Sequence, residues 1–244
     1  MHIPGADQAF KNLIDWSTRD SWKPLCTKII DDHFAVVRQA LGVEAGALAK
    51  ELGDDYFSLA VGCALEDFLA HRFGDDKRNI IDDYLKRRGW RESVPGRRYL
   101  AALRDSQMSL YEVMARDPGH TLVLRDMLRG GDPVTVDDRR GSQTSAVGDH
   151  LGARVLSVNG KYYLGGGVLH FPDDVAGMLV ATFNESVTAV KEHAASLLKD
   201  GEDPDTITPE QWRQVVVQRG AVVFTQSWLM YIVGATRRAN AQPD

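Results

Sequence analysis

Residues 108–172 read MSLYEVMARDPGHTLVLRDMLRGGDPVTVDDRRGSQTSAVGDHLGARVLSVNGKYYLGGGVLHFP. Short apolar runs are separated by Pro118-Gly119, Gly130-Gly131-Asp132-Pro133, Gly148-Asp149, Asn159-Gly160 and Gly165-Gly166-Gly167. Such punctuation predicts short, strongly bent antiparallel strands. Strands are expected at 110–113, 122–124, 134–136, 151–158, 161–164 and 168–171. Asp117-Pro118-Gly119-His120 fits a type II turn, with Pro and Gly at its central positions. Asn159-Gly160 fits a two-residue type I′ hairpin, which needs positive φ at both residues. Residues 137–149 are read as a polar loop and the glycine triplet as a sharp corner. A sheet of this length closes into a small antiparallel β-barrel of SH3-like or OB-like size, and small barrels serve mostly as binding modules.

The flanks read as helices. Ile29, Ile30, Phe34, Val37 and Leu41 recur at spacings of three and four, the period of a helix face. Helices are expected at 23–41, at 44–52, from Asp54 or Asp55 through Phe73, from Asp75 or Asp76 to a stop at Gly89, and over 93–106. Pro172 with Asp173 and Asp174 opens a long helix to about Lys199. Thr208-Pro209-Glu210-Gln211 is a capping box that starts the last helix, which runs to about Ala235 with a bend near Gly220. The fold class is α+β. A helical domain (1–107) and a barrel (108–172) are followed by a C-terminal helical region (173–244) that packs back on both.

Composition narrows the function. The chain has 244 residues, a formal charge of −5 and two cysteines. That balance argues against a protein whose main work is coating nucleic acid, although a local basic face stays open. Cys26 and Cys63 are read as reduced thiols. The first ten residues lack the basic and apolar regions of a signal peptide. The apolar stretch 220–235 is interrupted by Thr225, Gln226 and Ser227, and is too short and polar to span a bilayer. The expectation is a cytoplasmic protein with no membrane contact.

Few residue groups carry chemistry. Lys86-Arg87-Arg88-Gly89-Trp90-Arg91 and Arg97-Arg98-Tyr99 interleave cations with aromatics, a pattern that holds phosphates and stacks rings. The same residues also serve as cations at a helix C-terminus with Gly89 as its stop. Arg139 and Arg140 stand in the 137–149 loop with Gly, Ser and Thr, without the Gly-Lys-Ser or Gly-Lys-Thr of a phosphate loop. Asp31-Asp32-His33 and Glu66-Asp67 with His71 have carboxylate and imidazole ligands on helices, but no paired Glu-x-x-His pattern. They are read as solvent faces or caps. No nucleophile motif of the Gly-x-Ser-x-Gly kind occurs, and no cofactor or metal site is expected.

The sheet segment resembles uncharacterised bacterial proteins, many of which end in a SEC-C zinc motif. Ser109 to Val113, Pro118-Gly119, Leu122 to Leu128, Gly148-Asp149 and Ala153-Arg154-Val155 carry the likeness, with Phe224 to Leu229 near the end. The chain has no cysteine beyond Cys63, so the zinc-binding tail is absent. The resemblance implies a bacterial accessory protein and supplies no catalytic residue.

The expected function is that of a non-catalytic accessory or adaptor protein. It binds a protein partner, or alternatively nucleic acid, through the barrel and an adjacent basic surface made of Arg87, Arg88, Trp90, Arg97, Arg98, Arg139 and Arg140. Two alternatives are a metal-dependent hydrolase using carboxylates and histidines of the N-terminal helices, and a homo-oligomeric scaffold joined through the last helix. Oligomeric state is left open.

Overall fold

A computed structural model describes residues 3–197, 207–218 and 220–241. Six helices precede the sheet: α1 (Ala6–Ser17), α2 (Lys23–Leu41), α3 (Leu48–Leu52), α4 (Asp54–Ala70), α5 (Ile80–Arg88) and α6 (Val94–Asp105). The strands are β1 (Met108–Asp117), β2 (Thr121–Asp126), β3 (Val134–Asp137), β4 (His150–Val158), β5 (Lys161–Leu164) and β6 (Leu169–Phe171), with α7 (Arg139–Thr144) between β3 and β4. Then come α8 (Asp173–Leu197), α9 (Pro209–Val217) and α10 (Gly220–Ala241).

The strands close a five-stranded barrel. Neighbours run β1-β2-β3-β5-β4, and β4 pairs back to β1, with β6 added on β4. This circuit, with a helix between its third and fourth strands, is the Greek-key connectivity of the OB-fold. Tyr111, Val113, Leu122, Leu124, Val136, Leu151, Ala153 and Leu164 fill the interior. They come from the alternating positions of each strand, as a period of two requires. The register slips between Val113 and Ala115, a bulge that bends β1 around the barrel.

Both tight turns form as expected. Gly119 has φ +84° with His120 N–H donating to Asp117 O, and Asn159 and Gly160 have φ +54° and +75°. Several details depart from expectation. One seam of the barrel is parallel, Val136 against Tyr162, because α7 carries the chain across between β3 and β4. The loop at 137–149 holds that helix: the Asp138 side chain accepts from Gly141 N–H at 2.6 Å and caps it. Helix α5 starts at Ile80, not at Asp75 or Asp76. Phe73 and Arg78 exchange backbone hydrogen bonds across a tight turn, and Asn79 caps the helix. The expected last helix is two, α9 and α10, and residues 242–244 and the 198–206 linker lie outside the described residues.

The barrel is clasped on two sides. The outer side of β4 and β5, with Leu156, Val158 and Tyr163, joins a core of Leu13, Trp16, Trp22, Phe68, Ile80, Leu100 and Leu103 from the N-terminal helices. The start of β1 and β6, with Met108, Leu110, Leu169 and Phe171, joins a second core shared by α2, α4, α8, α9 and α10. Phe224, Trp228, Leu229 and Val233 are buried in it. Much of the apolar surface of α10, on which the scaffold reading relied, is used within the chain, while Val223 and Met230 stay exposed.

Candidate functional site

The α5–α6 connection is a rigid platform. Asn79 is buried; its amide donates to Leu69 O and His71 O, and its oxygen accepts from Ile81 and Asp82 N–H. This ties the end of α4 to the start of α5. After Arg88 the chain does not stop at Gly89. That residue has an ordinary helical φ of −55° and continues into a 3-10 turn, Gly89–Arg91. Arg97 Nη1 donates to Gly89 O at 3.3 Å and to Glu92 O at 2.8 Å. The buried Glu92 carboxylate accepts from Asn12 at 2.8 Å and from the Tyr84 hydroxyl. Burial, and next the neighbouring Glu92, raise the Tyr84 phenol well above its ordinary range.

On this braced turn Trp90 is 71% exposed and neighbouring Val94 50%. The Arg91 guanidinium lies 4.9 Å from the Trp90 ring centre. Few of the cations around it have a carboxylate partner. Arg87 pairs with Asp83 at 2.6 Å. Burial alone would raise the Asp83 carboxyl, but hydrogen bonds from Arg87, Trp22 and Trp16 outweigh it and hold it below the usual range. Arg88 lies 5.9 Å from the Trp16 ring, Arg97 faces carbonyls, and Arg98 donates to the Asn159 side chain at 2.9 Å. Among the described residues, Lys86, Arg88, Arg91, Arg97 and Arg98 have no carboxylate at ion-pair distance. Residues 72–104 hold ten Lys and Arg against five Asp and Glu, in a chain of net charge −5. Positive charge is thus gathered on this part of the molecule.

Of the seven residues singled out from the sequence, five stand here: Arg87, Arg88, Trp90, Arg97 and Arg98. Arg98 connects them to the barrel at the β4–β5 hairpin. Arg139 and Arg140 lie elsewhere, in the first turn of α7. That helix packs on the Pro118-Gly119 turn, where Gly119 N–H donates to Ser142 Oγ at 3.0 Å. Met108 pairs with Arg154 and Glu112 with His150. The hairpin and α7 consequently sit at opposite ends of the barrel, and the seven residues make two separate groups.

A buried polar seam, which the sequence reading placed in solvent, joins barrel to helices. Arg154 on β4 is 3% exposed and His33 on α2 fully buried. Arg154 Nη2 donates to Asp67 Oδ1 at 2.7 Å and Nη1 to Ser106 O at 2.9 Å. His33 Nε2 lies 3.3 Å from Asp67 Oδ2. Burial works to raise Asp67, but the His33 hydrogen bond and the Arg154 charge hold it below its ordinary value. Next to it Glu66 moves the other way: burial raises it against Arg154 and the amides of Gly166 and Gly167. Two carboxylates pushed apart in this way are an acid–base signature in enzymes. Here, however, Glu66 is 4% exposed and sealed beneath the β5–β6 glycine loop, where it accepts from Gly166 N–H at 2.5 Å. It pins the barrel to α4. The one clue to this seam in the sequence was an arginine inside the apolar strand β4. Asp31 and Asp32 pair with Arg38 and Lys28 at the surface. Among the described residues no three His, Cys, Asp or Glu stand together as metal ligands, and none of the described helices is long and apolar enough to cross a membrane. Both cysteines are free thiols.

The model of a family described as a family of unknown function (DUF7986) matches residues 22–199, from the end of the α1–α2 turn through α8. Nothing in that match links the chain to the SEC-C-associated proteins that its sheet segment resembles. No curated protein and no solved structure matches the chain.

Proposed function

The chain belongs to the DUF7986 family of unknown function, and from that premise we propose that it is a non-catalytic accessory protein that docks an acidic protein partner on the α5–α6 face. The observation that carries this reading is Trp90, largely exposed on a turn whose carbonyls at Gly89 and Glu92 are held by Arg97 and whose Glu92 side chain is held by Asn12 and Tyr84. Tryptophan and arginine are the residues most enriched in interface hot spots. A tryptophan on a backbone that is already fixed gives contact area with little main-chain ordering left to do on binding. The unpaired cations around it select for negative charge and speed encounter. The barrel and the buried seam act as the frame that fixes this face.

Trp90→Ala tests the reading. The side chain is outside the core, so melting temperature should move by no more than a degree or two. Affinity for the partner captured from the native host is expected to fall at least about tenfold, the scale of a hot-spot truncation. The double variant Arg139→Ala, Arg140→Ala, at the other end of the barrel, should bind like wild type. Unchanged affinity in Trp90→Ala would refute the proposal. If the captured partner is nucleic acid, its affinity would fall steeply with salt, and the family would be one of nucleic-acid binders instead.

A further inference from the structure

The end of α4, the end of α6, the start of β1, the end of α9 and the start of α10 line a cleft of about 730 Å³. We infer that this cleft binds a phosphorylated small molecule of nucleotide size. Its volume is in the range of about 300–1,000 Å³ typical of small-molecule sites. One wall is cationic. Arg72 and Lys77 come from the turn after α4, Arg104 from α6, and Arg154 from the barrel. Two carboxylates line the cleft, and each already has partners. Asp67 is held by Arg154 and His33, and Asp105 by Arg104 at 2.7 Å and by Arg72 at 3.6 Å. Asp82, just outside the lining, also takes Arg104 at 2.6 Å and Arg72 at 3.7 Å. Four strong cations thus face three carboxylates, and the one positive charge left over favours an anion. His71, also on the rim, stacks on Phe73 with ring centres 4.5 Å apart.

Two features make phosphate the fitting anion. Arg154 is buried and already bonded to Asp67 and Ser106 O, but the Arg72 and Arg104 guanidiniums and the Lys77 ammonium offer more donors than a single carboxylate accepts, whereas phosphate oxygens match the arginine fork and take further donors besides. Arg72 is paired only loosely, at 3.6 and 3.7 Å, so it can turn to a ligand at little cost. Lys77 has no carboxylate at ion-pair distance among the described residues. Its φ is +53°, a left-handed conformation that a lysine adopts rarely and glycine adopts freely. That conformation closes the Phe73–Arg78 turn, with Lys77 N–H donating to Gly74 O at 3.2 Å, and so sets the ammonium on the rim of the cleft. Ala70, Met108, Val217 and Ala221 make up the apolar part of the lining, against which the organic part of the ligand would rest.

The test is thermal unfolding of the full chain with pyrophosphate, adenosine diphosphate or adenosine. At about 100-fold excess over Kd, adenosine diphosphate should raise Tm by about 5–10 °C, pyrophosphate by less, and adenosine alone not at all. Lys77→Gly removes the ammonium and suits the left-handed backbone. It should unfold no earlier than wild type, yet bind adenosine diphosphate about tenfold more weakly, the loss of one charged hydrogen bond. No shift with either phosphate compound would overturn the inference. So would an equal shift in Lys77→Gly, or a shift by adenosine as large as that by the diphosphate.

Discussion

Arg154→Ala is expected to destabilise the protein by about 3–5 kcal/mol, the cost of removing one partner from a buried ion pair. Arg154 does three things at once. It neutralises Asp67, it satisfies Ser106 O at the α6–β1 junction, and its charge moderates the burial penalty of Glu66. Its loss leaves the Asp67 carboxylate with His33 as its remaining close partner, and leaves the Ser106 carbonyl without its buried donor. Chemical denaturation of wild type and variant measures the effect. Adding Asp67→Asn to Arg154→Ala should recover part of the loss, since the stranded charge is then gone and the two sites are coupled. A loss below about 1 kcal/mol would mean that the seam is hydrated and does not join barrel to helices as described.

Gly167→Ala comes next, with an expected cost of about 1–3 kcal/mol, the range for overpacking a tight site. A Cβ at this position would stand 2.5 Å from Cys63 Sγ, 3.2 Å from Cys63 Cα and 3.3 Å from Cys63 N. The last two are backbone atoms of α4 and cannot swing aside, so the upper part of that range applies. Relief should come from Cys63→Ala, which removes the sulfur but not the backbone contacts. The double variant should therefore recover part of the stability, and a full recovery would show that only the thiol stood in the way. Urea unfolding of the three variants distinguishes these results. The glycine loop thus owes its composition to the close approach of α4 more than to the sharpness of its corner.

The strands were legible because turn chemistry is local. Asn159-Gly160 and Pro118-Gly119 determine their own geometry, and strand alternation then assigns the barrel interior. Closure through a parallel β3–β5 seam was not legible, because it depends on α7. That helix is short, rich in Gly, Ser and Thr, and stable only through Asp138 and its seat on the barrel. The start of α5 was misplaced for a similar reason: Asp75 and Asp76 look like caps, but the Phe73–Arg78 bridge pre-empts them and Asn79 takes the role. The seam at His33, Glu66 and Asp67 was hidden because its partner Arg154 is nearly ninety residues away in sequence. Charged helix residues read as solvent-facing until such a partner is known. For the basic cluster, the residues of α5 and α6 were recognisable as a group. That Arg139 and Arg140 belong to the other end of the barrel follows only from strand register.

Docking of a partner around Trp90 is read out by site-specific photo-crosslinking in the native host. A benzophenone amino acid would replace Val94, half exposed beside Trp90, or in a separate strain Val147, which is 63% exposed next to α7. A discrete crosslinked species is expected from position 94 that disappears when Trp90→Ala is added, and none from position 147. Crosslinks from 147 alone, or equal yields with and without Trp90, would contradict it.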